Sequence, residues 1–369
     1  MVRFTIPLLL SSVVVGATAA ALGQTYIQYS TVTGYFLQDD NSTNATAFDY
    51  TASNFGLINQ TYPSDDPQSA KSLTQWERFA TFVSSLNDNA AKNVEYKVLF
   101  MGRHGEGYHN AAESYFGTPA WNCYWALLKG NASVTWADAH LTEAGIEQAL
   151  KANAFWLSHI QTQKIPLPQS YYVSPLSRCL ETANYTFSGL PLPAKYPFLP
   201  TIKEKLRESI SEHTCDHRSN KTYIHNMFPS WNFEPGFAEY DELWNGVTEE
   251  TDAAQDFRSK QVLDDIFSND CSTWLSFTSH SGEIGSILRV LKHRSFSLNT
   301  GAVIPVLVKA EKFSPWEATS TVSAPPWSTS AHCTTAPVTS ISTGTAKGCI
   351  CPKSAAPVTT ALATFPTSA

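Results

Sequence analysis

Residues 97–110 read KVLFMGRHGEGYHN. The apolar run Val98-Leu99-Phe100-Met101 has the pattern of a buried strand, and Gly102 ends it. Arg103, His104 and Gly105 follow at once. In an open α/β sheet, ligands bind beyond the carboxyl ends of the strands. A single histidine in such a place is ordinarily a hydrogen-bonded loop residue, so the rest of the chain has to decide what this pair is for.

Outward from that stretch, strand and helix signals alternate. Strands are expected at 95–101, 170–173, 198–202, 274–278 and 302–308, and helices at 71–87, 142–160, 175–187, 254–267 and 281–292. Thr142 reads as an N-cap, with Glu143 well placed for the helix dipole. The alternation predicts an α/β fold: a doubly wound, mostly parallel sheet sandwiched by helices. One such domain is expected over residues 23–311. Its first part, residues 24–70, is polar and reads as an irregular, glycosylated lead-in.

The 369 residues are 43% hydrophobic, enough for a sizeable core, and the net charge of −7 without a long Lys/Arg run argues against a nucleic-acid partner. The opening MVRFTIPLLLSSVVVGATAAALGQ reads as a secretory signal peptide over residues 1–22, with small residues at the cleavage region. No later stretch supplies the ~20 apolar residues of a membrane anchor. Export agrees with sequons at Asn41, Asn44, Asn59, Asn131, Asn184 and Asn220, which are expected to carry glycans. Seven cysteines, at 123, 179, 215, 271, 333, 349 and 351, permit disulfides but leave an odd thiol. Residues 312–369 are rich in Ser, Thr, Pro and Ala and are expected to form a disordered, O-glycosylated tail, keeping Cys333, Cys349 and Cys351 out of the core. Association with the cell wall through this tail is an expected partner interaction.

Four segments place polar residues just past strands: Arg103-His104-Gly105; VSPLSRCLET at 173–182, with Arg178; LRESISEHTCDHR at 206–218, with Glu208; and TSHSGEIG at 278–285, with His280. Taken singly, Arg178 could be a surface helix residue, Glu208 a solvated charge and His280 a helix cap. Together they put two His, two Arg and one Glu at one edge of one sheet. That set suits phosphoryl transfer. A neutral imidazole nitrogen attacks phosphorus when an acceptor holds the proton of the other nitrogen. Guanidinium forks match the non-bridging oxygens, and a carboxylic acid protonates the departing alkoxide.

In these motifs, RHGEGYHN, SPLSRCLET, LRE…CDHR and TSHSGE, the chain resembles the histidine phosphatase superfamily, specifically its phosphoglycerate-mutase-like branch as found in fungi and plants; the resemblance spans roughly residues 95–310. It implies His104 as the phosphohistidine nucleophile, Arg103, Arg178 and His280 as the phosphate pocket, Asn110 near the phosphate, and Glu208 as the acid. It implies no metal and no cofactor. The acid-phosphatase and phytase branch begins Arg-His-Gly-x-Arg-x-Pro and has His-Asp at the second histidine, whereas this chain has Arg-His-Gly-Glu and His280-Ser281. Glu208 therefore takes the acid role by default, with Glu106, Glu212 and Glu283 as rivals; Glu283 reads better as a first-turn helix residue. His109, His213, His217 and Asp216 are weakly spaced for a metal site, and His213, His217 and Arg218 fit the substrate mouth instead. Cys179 and Cys215 read as buried free thiols. Trp121, Tyr124, Trp125 and Trp136 form an insertion between the first two motifs, readable as a lid or as core.

The resulting expectation is a secreted phosphomonoesterase acting on a small phosphorylated substrate. Mutase-type phosphoryl transfer and a non-catalytic, glycosylated surface protein on the same fold are the alternatives.

Overall fold

The computed structural model describes residues 26–68, 70–313 and 324–337. The expected signal peptide and the tail cysteines Cys349 and Cys351 lie outside the described residues. Seven strands form one sheet: β1 (Tyr26–Thr31), β2 (Val94–Arg103), β3 (Ser170–Val173), β4 (Thr201–Ile202), β5 (Asn232–Phe233), β6 (Trp274–Ser279) and β7 (Val303–Phe313). Their order is β1-β7-β2-β6-β3-β4-β5. The run β2-β6-β3-β4-β5 is parallel, while β7 pairs antiparallel with β2 and β1. Around it lie α1 (Gln75–Asp88), α2 (Tyr108–Phe116), α3 (Thr118–Cys123), α4 (Glu143–Thr162), α5 (Ser177–Phe187), α6 (Lys221–Met227), α7 (Asp252–Asn269) and α8 (Ser281–Val290). This is the doubly wound, mostly parallel α/β architecture the sequence predicts.

Side chains of β2 alternate between two cores, as the two-residue period of a strand requires. Leu99 and Met101 join Leu275, Phe277 and residues of α7 and α8 on one face. Val98 and Phe100 join Trp76, Phe79 and Trp156 from α1 and α4 on the other. Both faces are covered, which is why β2 carries the unbroken apolar run Val98–Met101 and why every residue of β6 is buried. Thr142 caps α4 by accepting from the Gly145 amide at 3.1 Å.

The two ends of the chain differ from the sequence reading. Residues 24–70 are more than a lead-in: β1 completes the sheet edge, and Phe36, Tyr50, Phe55, Leu57 and Tyr62 are buried in the aromatic core. The strand is short and only Ile27 and Tyr29 point inward, so its composition reads as polar although its inward face is apolar. The expected tail from 312 is ordered where it is described. β7 runs on to Phe313, and residues 324–337 pack onto the domain. Ser328 pairs with Glu249, His332 forms an ion pair with Glu212, and Ala336 sits in a satellite core with Trp121, Trp125 and Trp136. Cys333, expected outside the core, is buried and disulfide-bonded, as is Cys123, and its amide donates to the Cys123 carbonyl at 2.9 Å. A covalent tie holds the segment where its composition alone would not.

Cys333→Ser is expected to lower the unfolding free energy of the oxidised protein by about 2–4 kcal/mol. Urea melts with and without a thiol reductant check this, since the gap to the parent should close once both are reduced.

Candidate active site

The parallel register gathers the motifs. Arg103 at the end of β2 lies opposite Ser279 at the end of β6, so His104 and His280 leave the sheet side by side. The His104 amide donates to the Ser279 carbonyl at 3.0 Å, and the Ser174 amide beyond β3 donates to the Thr278 carbonyl at 3.0 Å. Loop 203–208 leaves β4 and brings in Glu208. Strand ends therefore place three segments at one edge, and a short loop brings in the fourth.

His104 is 1% exposed, and its ring lies 5.0 Å from that of His280, edge to face. Its Nδ1 donates to the Gly105 carbonyl at 2.7 Å, which leaves Nε2 with the lone pair. Burial, with Arg178 and Arg103 close by, holds its pKa well below the ordinary imidazole value. His104 is thus neutral and in one tautomer.

Arg178 occupies the first turn of α5 and is 1% exposed, so it is no surface helix residue. Its Nη1 donates to the Cys215 carbonyl at 2.7 Å. Arg103 donates from Nη1 to the Leu298 carbonyl at 2.7 Å. The Nε of both arginines is buried without a hydrogen-bond partner. Buried cations normally satisfy such donors, and donors left over here suit an anion. Asp138 fixes the start of α5: its carboxylate accepts from the Ser177 amide at 2.8 Å and the Ser177 hydroxyl at 2.9 Å. Thr182 ties α5 to the loop after His104, accepting from the Gly105 amide at 3.0 Å. Neither residue was singled out in the sequence; for Asp138 the signal was faint, a lone acid remote in sequence from the helix it braces.

His280 occupies the N-cap position of α8, yet its ring makes no cap bond. It turns to Ser174 Oγ, 2.7 Å from Nε2, and to the Cys179 thiol, 3.3 Å away. Burial and Arg178 keep it neutral as well. Cys179 and Cys215 are buried free thiols. Asn110 turns its Oδ1 back to the Gly107 amide at 3.0 Å, bracing the first turn of α2.

Glu208 caps α8 from outside. Its Oε1 accepts from the Glu283 amide at 3.1 Å and its Oε2 from the Gly282 amide at 3.3 Å. Burial raises its pKa, assisted by the negative Asp216. The rival acids are committed elsewhere. Glu106 accepts from the Thr142 hydroxyl at 2.7 Å. Glu212 holds His332 of the returning segment. Glu283 is wholly buried against Arg258 at 3.0 Å, its pKa pushed up to about 7 by burial. His213, Cys215 and Asp216 bring ligand atoms within 4.8 Å of one another. They suit a divalent cation poorly: Arg178 lies 3.7 Å from Asp216, and burial keeps the Cys215 thiol protonated. His217 is occupied otherwise, stacked on Trp244 at 4.4 Å. Arg218 pairs with Glu204 at 2.8 Å and is buried, away from the mouth the sequence suggested for it. Of the insertion, Trp121, Trp125 and Trp136 are buried core, with Trp121 meeting His213 at 6.3 Å.

Such an arrangement can hold a phosphoryl group and bring an imidazole to it. The description of the histidine phosphatase superfamily (branch 1) matches residues 99–299. A probable phosphoglycerate mutase of Arthroderma benhamiae is 52% identical over 77% of this chain and 85% of its own length. Phosphomutase-like protein 3 of Candida albicans is 38% identical, covering 78% of this chain and 81% of its own. A probable phosphoglycerate mutase of Saccharomyces cerevisiae is 36% identical over 59% and 80% respectively. The chain belongs to the histidine phosphatase superfamily, in its phosphoglycerate-mutase-like branch.

A Cβ on Gly282 would fall on Oε1 of Glu208. Gly282→Ala should therefore displace the carboxyl and slow cleavage of an alkyl phosphate by about 10²-fold, within the range for general acid catalysis, with a smaller effect on an aryl phosphate whose leaving group needs no proton. Steady-state rates on the two esters check this. A raised pKa keeps Glu208 protonated above the usual carboxylate range, so alkyl-phosphate cleavage should fall as pH rises through that pKa. In Glu208→Gln this limb should vanish from the pH–rate profile.

Proposed function

We propose that the protein is a secreted, metal-independent phosphomonoesterase that acts on a small phosphorylated substrate through a phosphohistidine. The observation that carries this is His104: buried at a strand end, held neutral beside two arginines, with Nδ1 on the Gly105 carbonyl. In the first step Nε2 of His104 bonds to phosphorus, the ester P–O bond breaks, and Glu208 gives its proton to the leaving alkoxide. In the second, water attacks phosphorus, Glu208 takes the water proton, and the N–P bond breaks to release phosphate. Arg103, Arg178 and His280 hold the non-bridging oxygens, and Asn110 lies close to them. The two guanidinium groups supply the positive charge the transition state needs.

Transfer back to a bound sugar acid shares the first step, and the relatives' names as probable phosphoglycerate mutases favour that reading. Export favours water as the acceptor, because a mutase depends on a phosphorylated pool inside the cell. The leader and the sequons support export. Asn41, Asn44, Asn59 and Asn220 are exposed, while Asn131 and Asn184 are half-buried. Among the described residues no helix is long and apolar enough to cross a membrane.

The test is turnover of an aryl phosphate and of a phosphoglycerate by the full chain, with a chelator present, scoring phosphate release against positional transfer. His104→Ala should lose at least about a thousandfold in turnover, and the parent should form an acid-labile phosphoenzyme visible by ³¹P NMR. Transfer without phosphate release would establish the mutase; neither activity in the folded protein would leave a surface or wall protein.

A further inference from the structure

One ring in the pocket has no role in the steps above. His109 lies in the first turn of α2, 8% exposed, with its centroid 5.4 Å from that of His104, nearly as close as His280. Its Nδ1 is buried without a hydrogen-bond partner. An unpaired polar atom in a protein interior costs about 1–3 kcal/mol, whereas both ring nitrogens of His140 and of His293 are partnered.

The placement of the ring is built in. A Cβ on Gly107 would lie 2.7 Å from Nδ1 of His109 and 2.9 Å from Cε1, so only glycine leaves the ring its seat. Arg178, His104, Arg103 and His213 are the titratable groups that act on it. Burial, Arg178, His104, Arg103 and His213 all oppose its protonation. His109 is accordingly a neutral imidazole with one N–H to give, its ring beside that of His104.

We propose that His109 is a substrate-contacting residue whose imidazole donates a hydrogen bond to a phosphoryl oxygen of the bound monoester, beside the two arginines. The inference rests on the phosphoryl-transfer reading of His104. It adds a neutral donor beside His104, where a fully cationic set of donors would hold the product too tightly. It also accounts for Gly107-x-His109 within the opening motif, which nucleophile and phosphate chemistry leave unexplained.

The experiment compares parent, His109→Ala, His109→Gln and Gly107→Ala, measuring kcat and KM on an aryl phosphate and inhibition by orthovanadate, with circular dichroism to confirm folding. His109→Ala should lower kcat/KM and weaken vanadate inhibition about tenfold each, the worth of one hydrogen bond to a charged group. His109→Gln, which keeps a donor, should recover most of both. Gly107→Ala, which moves the ring and keeps it, should reproduce the alanine defect. If folded His109→Ala stays within twofold of the parent in both readouts, or if glutamine rescues nothing, the contact does not exist. A parent that neither turns over nor binds vanadate would overturn the phosphoryl-transfer reading itself, and this inference with it.

Discussion

The guanidinium of Arg178 is 1% exposed and rests on a single carbonyl, with its nearest carboxylate oxygen, on Asp216, 3.7 Å away. Burying a cation in so little company costs several kcal/mol, and much of the site is arranged around that cost. The strand ends that carry His104 and His280 keep both rings beside this charge, and burial together with it holds both neutral. It needs α5 anchored at its first turn, which Asp138 does from a distant loop. A bound phosphoryl group would convert the penalty into binding free energy, the sense in which such a site is organised before its substrate arrives.

The acid side is built by a different device. Arg258 grips the loop that carries Glu208 at three carbonyls, those of Lys205, Arg207 and Glu208, while pairing with Glu250 and Glu283. The loop has little regular structure, and this arginine replaces the missing ladder. The amides at the start of α8 favour the charged form of Glu208, whereas burial and Asp216 favour the neutral one, and the second pair prevails. A carboxyl so balanced can give a proton and take it back.

Much of this was legible in residues 97–110 and in the three later segments, because strand ends in a parallel sheet converge whatever the loops do. The β3 strand lies at 170–173 as expected, and α4 and α5 begin within two residues of theirs. What was not legible depends on long-range partners. Tyr26–Thr31 becomes a strand only because β7 offers it an edge. Residues 324–337 are ordered through Glu212, Glu249 and a disulfide, none of which their Ser/Thr composition announces. The aromatic insertion was equally ambiguous, since buried tryptophans and a substrate lid share one composition; three of its rings prove to be core. Asp138 and Arg258 escaped notice because a bracing charge carries no local motif.

The edge pairing of β1 with β7 joins the first described residue to the end of the last strand: Tyr26 lies opposite Phe313. A ribosome delivers those partners at opposite ends of synthesis. Ile27 and Tyr29 must therefore wait, apolar and unpaired, while the whole parallel sheet is made. β7 then enters between β1 and β2, so a single late strand closes two interfaces. Such closure leaves the most non-local pairing, which is intrinsically slow, to the end. Chains cut short of residue 303 should lack both the sheet edge and the wall behind Arg103, and be natural clients for chaperones.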